Sequence, residues 1–317
     1  MLKKILIPLV LFLFLSSGAS AQNANADYSI GVLIKTTKHQ FWRTIEKGIE
    51  QAAEKHGINT FVMGNIDPND GQEQLNKCET MLLKKPDAMI VAAVNLTNLQ
   101  PCLTKAANQG ILIVDIDGNI TKESAEEFGL NIAFSVAADN KLLGQKAGEY
   151  LQGQSGKVLI LEGLPGSLPS IQRKEGFLEY LPEGLEVIAS LPTDWDRLKA
   201  NDITNSILLQ HPDLKVIFAA ADTMAIGAYE AAKKYGNEKE LIIIGIDGNA
   251  EAIEAIKSEK MDASIAQLPI LMAEQALLKT VRSLEGEDIE FEQYLPALTL
   301  TKEMLEKEDE PLLKYLK

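Results

Sequence analysis

Histidine, cysteine and tryptophan are scarce in this chain: three, two and two among 317 residues. His39, His56 and His211 fall in no metal-ligand spacing such as H-E-x-x-H, so no metal site is expected. His56 precedes Gly57 and His211 precedes Pro212, both at expected helix ends, where a basic group suits the helix dipole. Glycine-rich nucleotide loops are missing as well. The first strand is followed by KTTKHQ, from Lys35, where a dinucleotide fold has G-x-G-x-x-G. Gly163–Ser167 reads GLPGS, without the lysine of a phosphate loop or the G-x-S-x-G of a hydrolase elbow. No carboxylate pair is marked as the acid and base of a glycosidase. The expectation is a non-enzyme with no cofactor.

Positive charge is in deficit: 31 Lys and Arg against 45 Asp and Glu give a formal charge of −14. Such a surface repels phosphate backbones, which excludes nucleic acid as a partner. Long apolar runs are absent beyond the first segment. That segment has Lys3 and Lys4, an apolar stretch from Ile5 to Leu15, and SSGASA ending at Ala21. It reads as a secretory signal peptide cleaved after Ala21. About 11 apolar residues cannot span a bilayer that needs roughly 20. No cysteine follows the stretch to carry a lipid, so the mature product is expected free in a periplasm, not membrane-embedded. In that oxidising compartment Cys78 and Cys102 are either bridged or two separately buried thiols.

Apolar, β-branched runs alternate with amphipathic stretches almost from end to end. Strands are expected at Ser29–Ile34, Thr60–Met63, Ala88–Val94, Ile111–Ile116, Val158–Leu161, Val187–Ser190, Val216–Ala220, Leu241–Ile246 and Ala263–Ala266. Helices lie between them, the clearest from Phe41 to His56, with Phe41, Ile45, Ile49, Ala52 and Ala53 on one stripe. Strands this apolar, alternating with helices, imply α/β architecture with parallel sheets covered on both faces. Too many strands for one sheet imply two doubly wound lobes. An internal echo supports the split: Val114–Asn119 reads VDIDGN and Ile244–Asn249 reads IGIDGN. Ligands bind beyond the carboxyl ends of strands in such sheets, so Asp117 and Asp247 are candidates for one shared site. Alternatively, each merely holds its own turn. Asp222 is read as the cap of the helix beginning near Met224.

Strand-end residues supply the inventory for gripping a polyhydroxylated ring. Aromatic rings cover its C–H faces, and charged planar groups and amides hold its rim. The candidates are Lys35, Phe41, Trp42, Asp117, Trp195, Asp247 and Gln267, with Phe41 equally readable as core.

Several stretches carry a specific resemblance. VLIKTTKHQFWRTIEKGIE, ILEGLPGSLPSIQRKEGF, LPTDWDRLKA, FAAADTMAIGA, IIGIDG and SIAQLP, in register along the chain, resemble the ribose- and allose-type periplasmic binding proteins of ABC importers. The resemblance implies a type I binding-protein fold, two lobes joined by three hinge crossings near Ser135–Ala138, Gln267–Leu268 and Leu295–Leu298. The implied domains are residues 1–21 as signal peptide, 22–136 plus 268–296 as the N-terminal lobe, and 137–267 plus 297–317 as the C-terminal lobe. It also implies site roles: Arg173 on ring oxygens, Asp247 and Asp117 as the carboxylates of the two lobes, Gln267 at the hinge, and Phe41, Trp42 and Trp195 around the sugar. Lys35 is like the lysine of the allose type, and either contacts solute or pairs with Asp117.

The departures from that pattern are informative. Ala221 replaces an asparagine, Ala93 another (with Asn95 two residues on), Gly118 an arginine, and His39 a loop asparagine. Each lost amide removes hydroxyl contacts worth about 0.5–1.5 kcal/mol. The implied ligand is a monosaccharide or related small polyol with fewer hydroxyls, more bulk near Ala221, or a charge met by Lys35 and His39; a non-sugar polar solute is the alternative. The implied partners are an ABC permease with its ATPase, or a periplasmic sensor domain, served by a monomer.

Overall fold

The computed structural model describes residues 28–316 except Asn237 and Glu308. The leader and its cleavage site at Ala21 lie outside the described residues. The strands are β1 (Ser29–Ile34), β2 (Asn59–Gly64), β3 (Ala88–Val91), β4 (Leu112–Ile116), β5 (Ser135–Ala138), β6 (Gly156–Glu162), β7 (Leu185–Pro192), β8 (Leu214–Ala219), β9 (Ile242–Asp247), β10 (Ala263–Ala266), β11 (Glu292–Leu295) and β12 (Leu298–Thr301). The helices are α1 (Gln40–His56), α2 (Gly71–Leu82), α3 (Leu96–Asn108), α4 (Lys122–Glu127), α5 (Asn140–Tyr150), α6 (Leu168–Glu179), α7 (Arg197–Gln210), α8 (Asp222–Tyr235), α9 (Ala250–Lys257), α10 (Pro269–Leu284) and α11 (Lys302–Lys307).

They form two α/β lobes with the same wiring. The first sheet runs β11-β5-β4-β3-β1-β2 and the second β12-β10-β9-β8-β6-β7. β1 to β5 therefore correspond in order to β6 to β10. Neighbouring strands run parallel except β10 and β12. Central strands are buried on both faces, as β1 and β9 show with Ile30–Ile34 and Ile243–Asp247. Helices on both sides account for that, and it explains why these strands read as unbroken apolar runs rather than alternating ones.

Three short strands were not expected. β5, β11 and β12 have four residues each, and β11 alternates exposed and half-buried positions, too little pattern to register in sequence. They flank two of the three passages between lobes, after β5 and between β11 and β12; the third lies between β10 and α10. α10 opens on Pro269 and packs along α1 in the first lobe. α1 buries the expected stripe, Phe41, Ile45, Ile49, Ala52 and Ala53, and ends at Gly57, whose φ of 67° suits glycine. Cys78 on α2 and Cys102 on α3 are joined in a disulfide.

Candidate functional site

Asp117 follows β4 directly, and Asp247 is the last residue of its counterpart, β9. The matching wiring thus puts both carboxylates at the carboxyl ends of corresponding strands. Both have positive φ, 83° and 129°, a region that is uncommon for residues other than glycine and costs of order 1–3 kcal/mol. Strain repeated at equivalent loops marks them as more than generic turns.

The backbone N–H groups of the two turns are not held by Asp117 or Asp247. Asp115 holds them in the first lobe, where Oδ2 accepts from Gly118 N at 3.0 Å and Oδ1 from Ile120 N at 3.2 Å. Ser135 Oγ also donates to Asp115 Oδ2 at 2.5 Å. In the second lobe the corresponding role belongs to Asp222, which accepts from Asn249 N at 2.9 Å and Ser264 Oγ at 2.7 Å. This corrects the expectation that Asp222 caps its helix: Ala221 occupies the cap position of α8 and makes no side-chain cap bond. Asp222 lies one residue inside the helix, and its carboxylate turns across to the β9–α9 loop.

The released carboxylates are ion-paired within their own lobes. Lys35 Nζ donates to Asp117 Oδ2 at 2.8 Å, and Asn119 Nδ2 to the same oxygen at 2.9 Å. Lys35 also lies 5.4 Å from the Trp42 ring centroid, and Trp42 meets Phe41 edge-on. The pairing of Lys35 with Asp117 is thus present. In the second lobe Arg173 Nη1 donates to Asp247 Oδ1 at 3.4 Å and to Ala220 O at 2.7 Å. Gln267 Nε2 donates to Asp247 Oδ1 at 2.6 Å. Arg173 Nε is held by Asn140 Oδ1 at 2.9 Å, and its guanidinium stands 5.7 Å from the Trp195 ring. Asn140 opens α5 straight after the first passage between lobes. It was missed in sequence because an asparagine after Asp139 reads as part of a cap; Asp139 takes the cap, leaving Asn140 for Arg173.

The cleft is shut. Phe41, Trp42, Asp117, Arg173 (4% exposed), Asp247 (6%) and Gln267 (2%) are all buried. The lobes act on each other electrically across it. Burial pushes the Asp247 carboxyl above its ordinary range, while Arg173 and then His39 of the opposite lobe oppose the rise. Burial lowers the pKa of His39, chiefly against the pull of Asp247. Two buried polar atoms here have no protein partner, His39 Nε2 and Gln267 Oε1. Buried polar groups are normally hydrogen-bonded.

Other candidates are placed differently. Ala221 and Ala93 are buried in the apolar clusters of their lobes. Asn95 caps α3, accepting from Asn98 N at 3.2 Å. Gln74, unsuspected in sequence, is fully buried and ties down the chain after β3 through Ala92 O and Val94 N, both at 2.8 Å. Among the described residues there is no group of three or more potential metal ligands. Nor is any helix long and apolar enough to cross a membrane.

Residues 30–288 match the periplasmic binding protein domain. The chain is 31% identical over 263 residues to the D-allose-binding periplasmic protein of Escherichia coli K12, covering 81% of this chain and 83% of that one. It is 29% identical to the ribose import binding protein RbsB of Bacillus subtilis 168, covering 92% and 96%. Among solved structures, an ABC transporter periplasmic solute-binding protein of Actinobacillus succinogenes 130z with bound D-allose is similar at a TM-score of 0.83 and 30% identity, covering 88% of this chain and 99% of that one. One from Agrobacterium vitis with bound D-fucose has a TM-score of 0.81 at 27% identity, covering 91% and 99%.

Proposed function

This chain belongs to the periplasmic binding protein family, in its ribose- and allose-binding branch, and we propose that it captures a monosaccharide or related small polyol between its lobes and delivers it to an ABC importer. It is a binding protein rather than an enzyme, as its relatives are named for what they bind. Export across the inner membrane with cleavage after Ala21, action as a monomer, and docking on a permease with its ATPase complete the reading. The lobes are residues 22–136 plus 268–296 and residues 137–267 plus 297–317, turning about their three connections.

One observation carries the ligand class. His39 Nε2 and Gln267 Oε1 are buried without partners beside two carboxylates already neutralised by Lys35 and Arg173. Each of the two carboxylates has its own cation, Gln267 Oε1 is an unused acceptor, and His39 Nε2 accepts or donates according to its tautomer. A neutral molecule rich in hydroxyl donors suits that surface, whereas a sugar acid or phosphate would bring uncompensated charge into a buried site. In this reading Asp117 and Asp247 take hydroxyl protons from opposite sides, and Arg173 holds a ring oxygen. Lys35, His39 and Gln267 complete the polar rim, and Phe41, Trp42 and Trp195 cover the C–H faces.

A ligand that bridges both lobes favours the shut state and stabilises the fold by mass action. A thermal-shift screen with D-allose, D-ribose, D-fucose, other pentoses and hexoses, and polyols is expected to yield at least one sugar raising Tm in a concentration-dependent way. No shift with any neutral sugar or polyol, together with a shift from an anionic solute, would contradict the reading.

A further inference from the structure

The two loops that carry Asp117 and Asp247 can be laid on each other residue by residue. In β4, Asp115 pairs in register with Ser135; in β9, Gly245 pairs with Ser264. The repeats VDIDGN and IGIDGN then align Asp115 with Gly245, Asp117 with Asp247, and Ser135 with Ser264. The serine is kept and its strand is equivalent. What differs is the residue at the strand position that bears a carboxylate in the first lobe and no side chain in the second.

The missing carboxylate is supplied from elsewhere. A Cβ built on Gly245 would overlap Asp222 Oδ1. The α8 carboxylate therefore occupies the space beside β9 that a side chain at 245 would take. It makes the same kinds of bond. Ser264 Oγ donates to Asp222 as Ser135 Oγ donates to Asp115. The backbone of the turn is held in both cases: Gly118 N and Ile120 N by Asp115, Asn249 N by Asp222, and Gly248 N by Ser264 Oγ at 3.0 Å. Both carboxylates are fully buried, and every described bond they accept comes from the serine or the turn.

We propose that Asp222 is a positioning residue for Asp247, doing from the first turn of a helix what Asp115 does for Asp117 from within a strand. Its role is to clamp the turn Gly248–Asn249 in the form that keeps Asp247 at positive φ, 129°, and directed into the cleft. The consequence for ligand capture rests on the proposed sugar-binding function; the clamp itself does not. Gly245 belongs to the same device, since only a residue without Cβ admits the Asp222 carboxylate.

The test uses the ligand-free protein, so its outcome is separate from whether any sugar binds. Residue-resolved amide exchange is measured for wild type, Asp222→Ala, Asp222→Asn and Ser264→Ala. Asparagine can offer its oxygen to Asn249 N and its amide to Ser264 Oγ, so Asp222→Asn is expected to keep near-wild-type protection at Gly248 and Asn249. Asp222→Ala is expected to exchange at least about ten-fold faster at these two amides, the equivalent of one buried hydrogen bond. The turn Gly118–Ile120 of the other lobe should not change. If Asp222→Ala does not fold, Ser264→Ala, which removes a single hydroxyl, shows the acceleration at Gly248. Wild-type exchange at Gly248 and Asn249 in both Ala variants, or equal acceleration in the Asn and Ala variants, would overturn the proposal.

Discussion

Trp195 lies against Gly163 so closely that a methyl group at 163 would fall inside its indole ring. Trp195 follows Asp194, and both have positive φ, 61° and 54°, so a strained loop presses the ring onto the end of the second lobe's first strand. There it also flanks the Arg173 guanidinium. The contact makes a glycine and a tryptophan from distant parts of the chain one structural unit in the cleft wall.

Gly163→Ala should therefore expel the ring without disturbing either sheet. Overpacking costs about 1–3 kcal/mol in stability. Loss of the Arg–Trp stack costs a further ~0.5–2 kcal/mol of binding, roughly 2- to 30-fold in sugar affinity. Tryptophan emission, which only Trp42 and Trp195 contribute, is expected to shift to the red, and calorimetry to show the weaker affinity.

Asp115 gives the protein a pH signature. Burial pushes its carboxyl up to about 7, against the opposing hydrogen bond from Ser135. Between about pH 4 and 7 the folded state then holds a proton that the unfolded state has released. Stability must fall as pH rises through that window, by up to roughly 1.4 kcal/mol per pH unit from this group. The contribution is intact below pH 4 and fully lost above 7. Asp115→Asn removes the titration, so urea midpoints of the variant should fall less steeply than those of wild type from pH 4 to 7. Parallel profiles would contradict this origin.

The disulfide Cys78–Cys102 spans 24 residues and fastens α2 to α3 in the first lobe. Closing a loop of that length stabilises by about 3.5 kcal/mol in the chain-entropy description. Cys78→Ser with Cys102→Ser should lower the denaturation free energy by that order and leave sugar affinity within about two-fold, because neither cysteine reaches the cleft. Chemical denaturation and calorimetry on the same samples check both halves.

Much of this was readable from sequence, and what was not has a physical cause. The IDGN echo located both loops because a duplicated wiring repeats its turns. Asp115 was passed over and Asp222 misread because a carboxylate's partners are set in three dimensions. Within V-D-I-D the inner aspartate is indistinguishable by pattern from the outer, and an aspartate before Thr-Met-Ala has the local look of a cap. Gln74 and Asn140 sit on helices whose apolar periodicity is satisfied without them. β5, β11 and β12 are four-residue connectors, held by pairing rather than by a run of apolar residues.

The central claim is that acids from the two lobes grip one molecule together. The most direct measurement is calorimetric titration, with the sugar that most raises Tm, of wild type, Asp117→Asn and Asp247→Asn. One site per chain is expected, with each substitution weakening it by about 1.5–3 kcal/mol, or roughly 10- to 150-fold. Wild-type affinity in either variant would show that its carboxylate lies outside the site and would contradict the account.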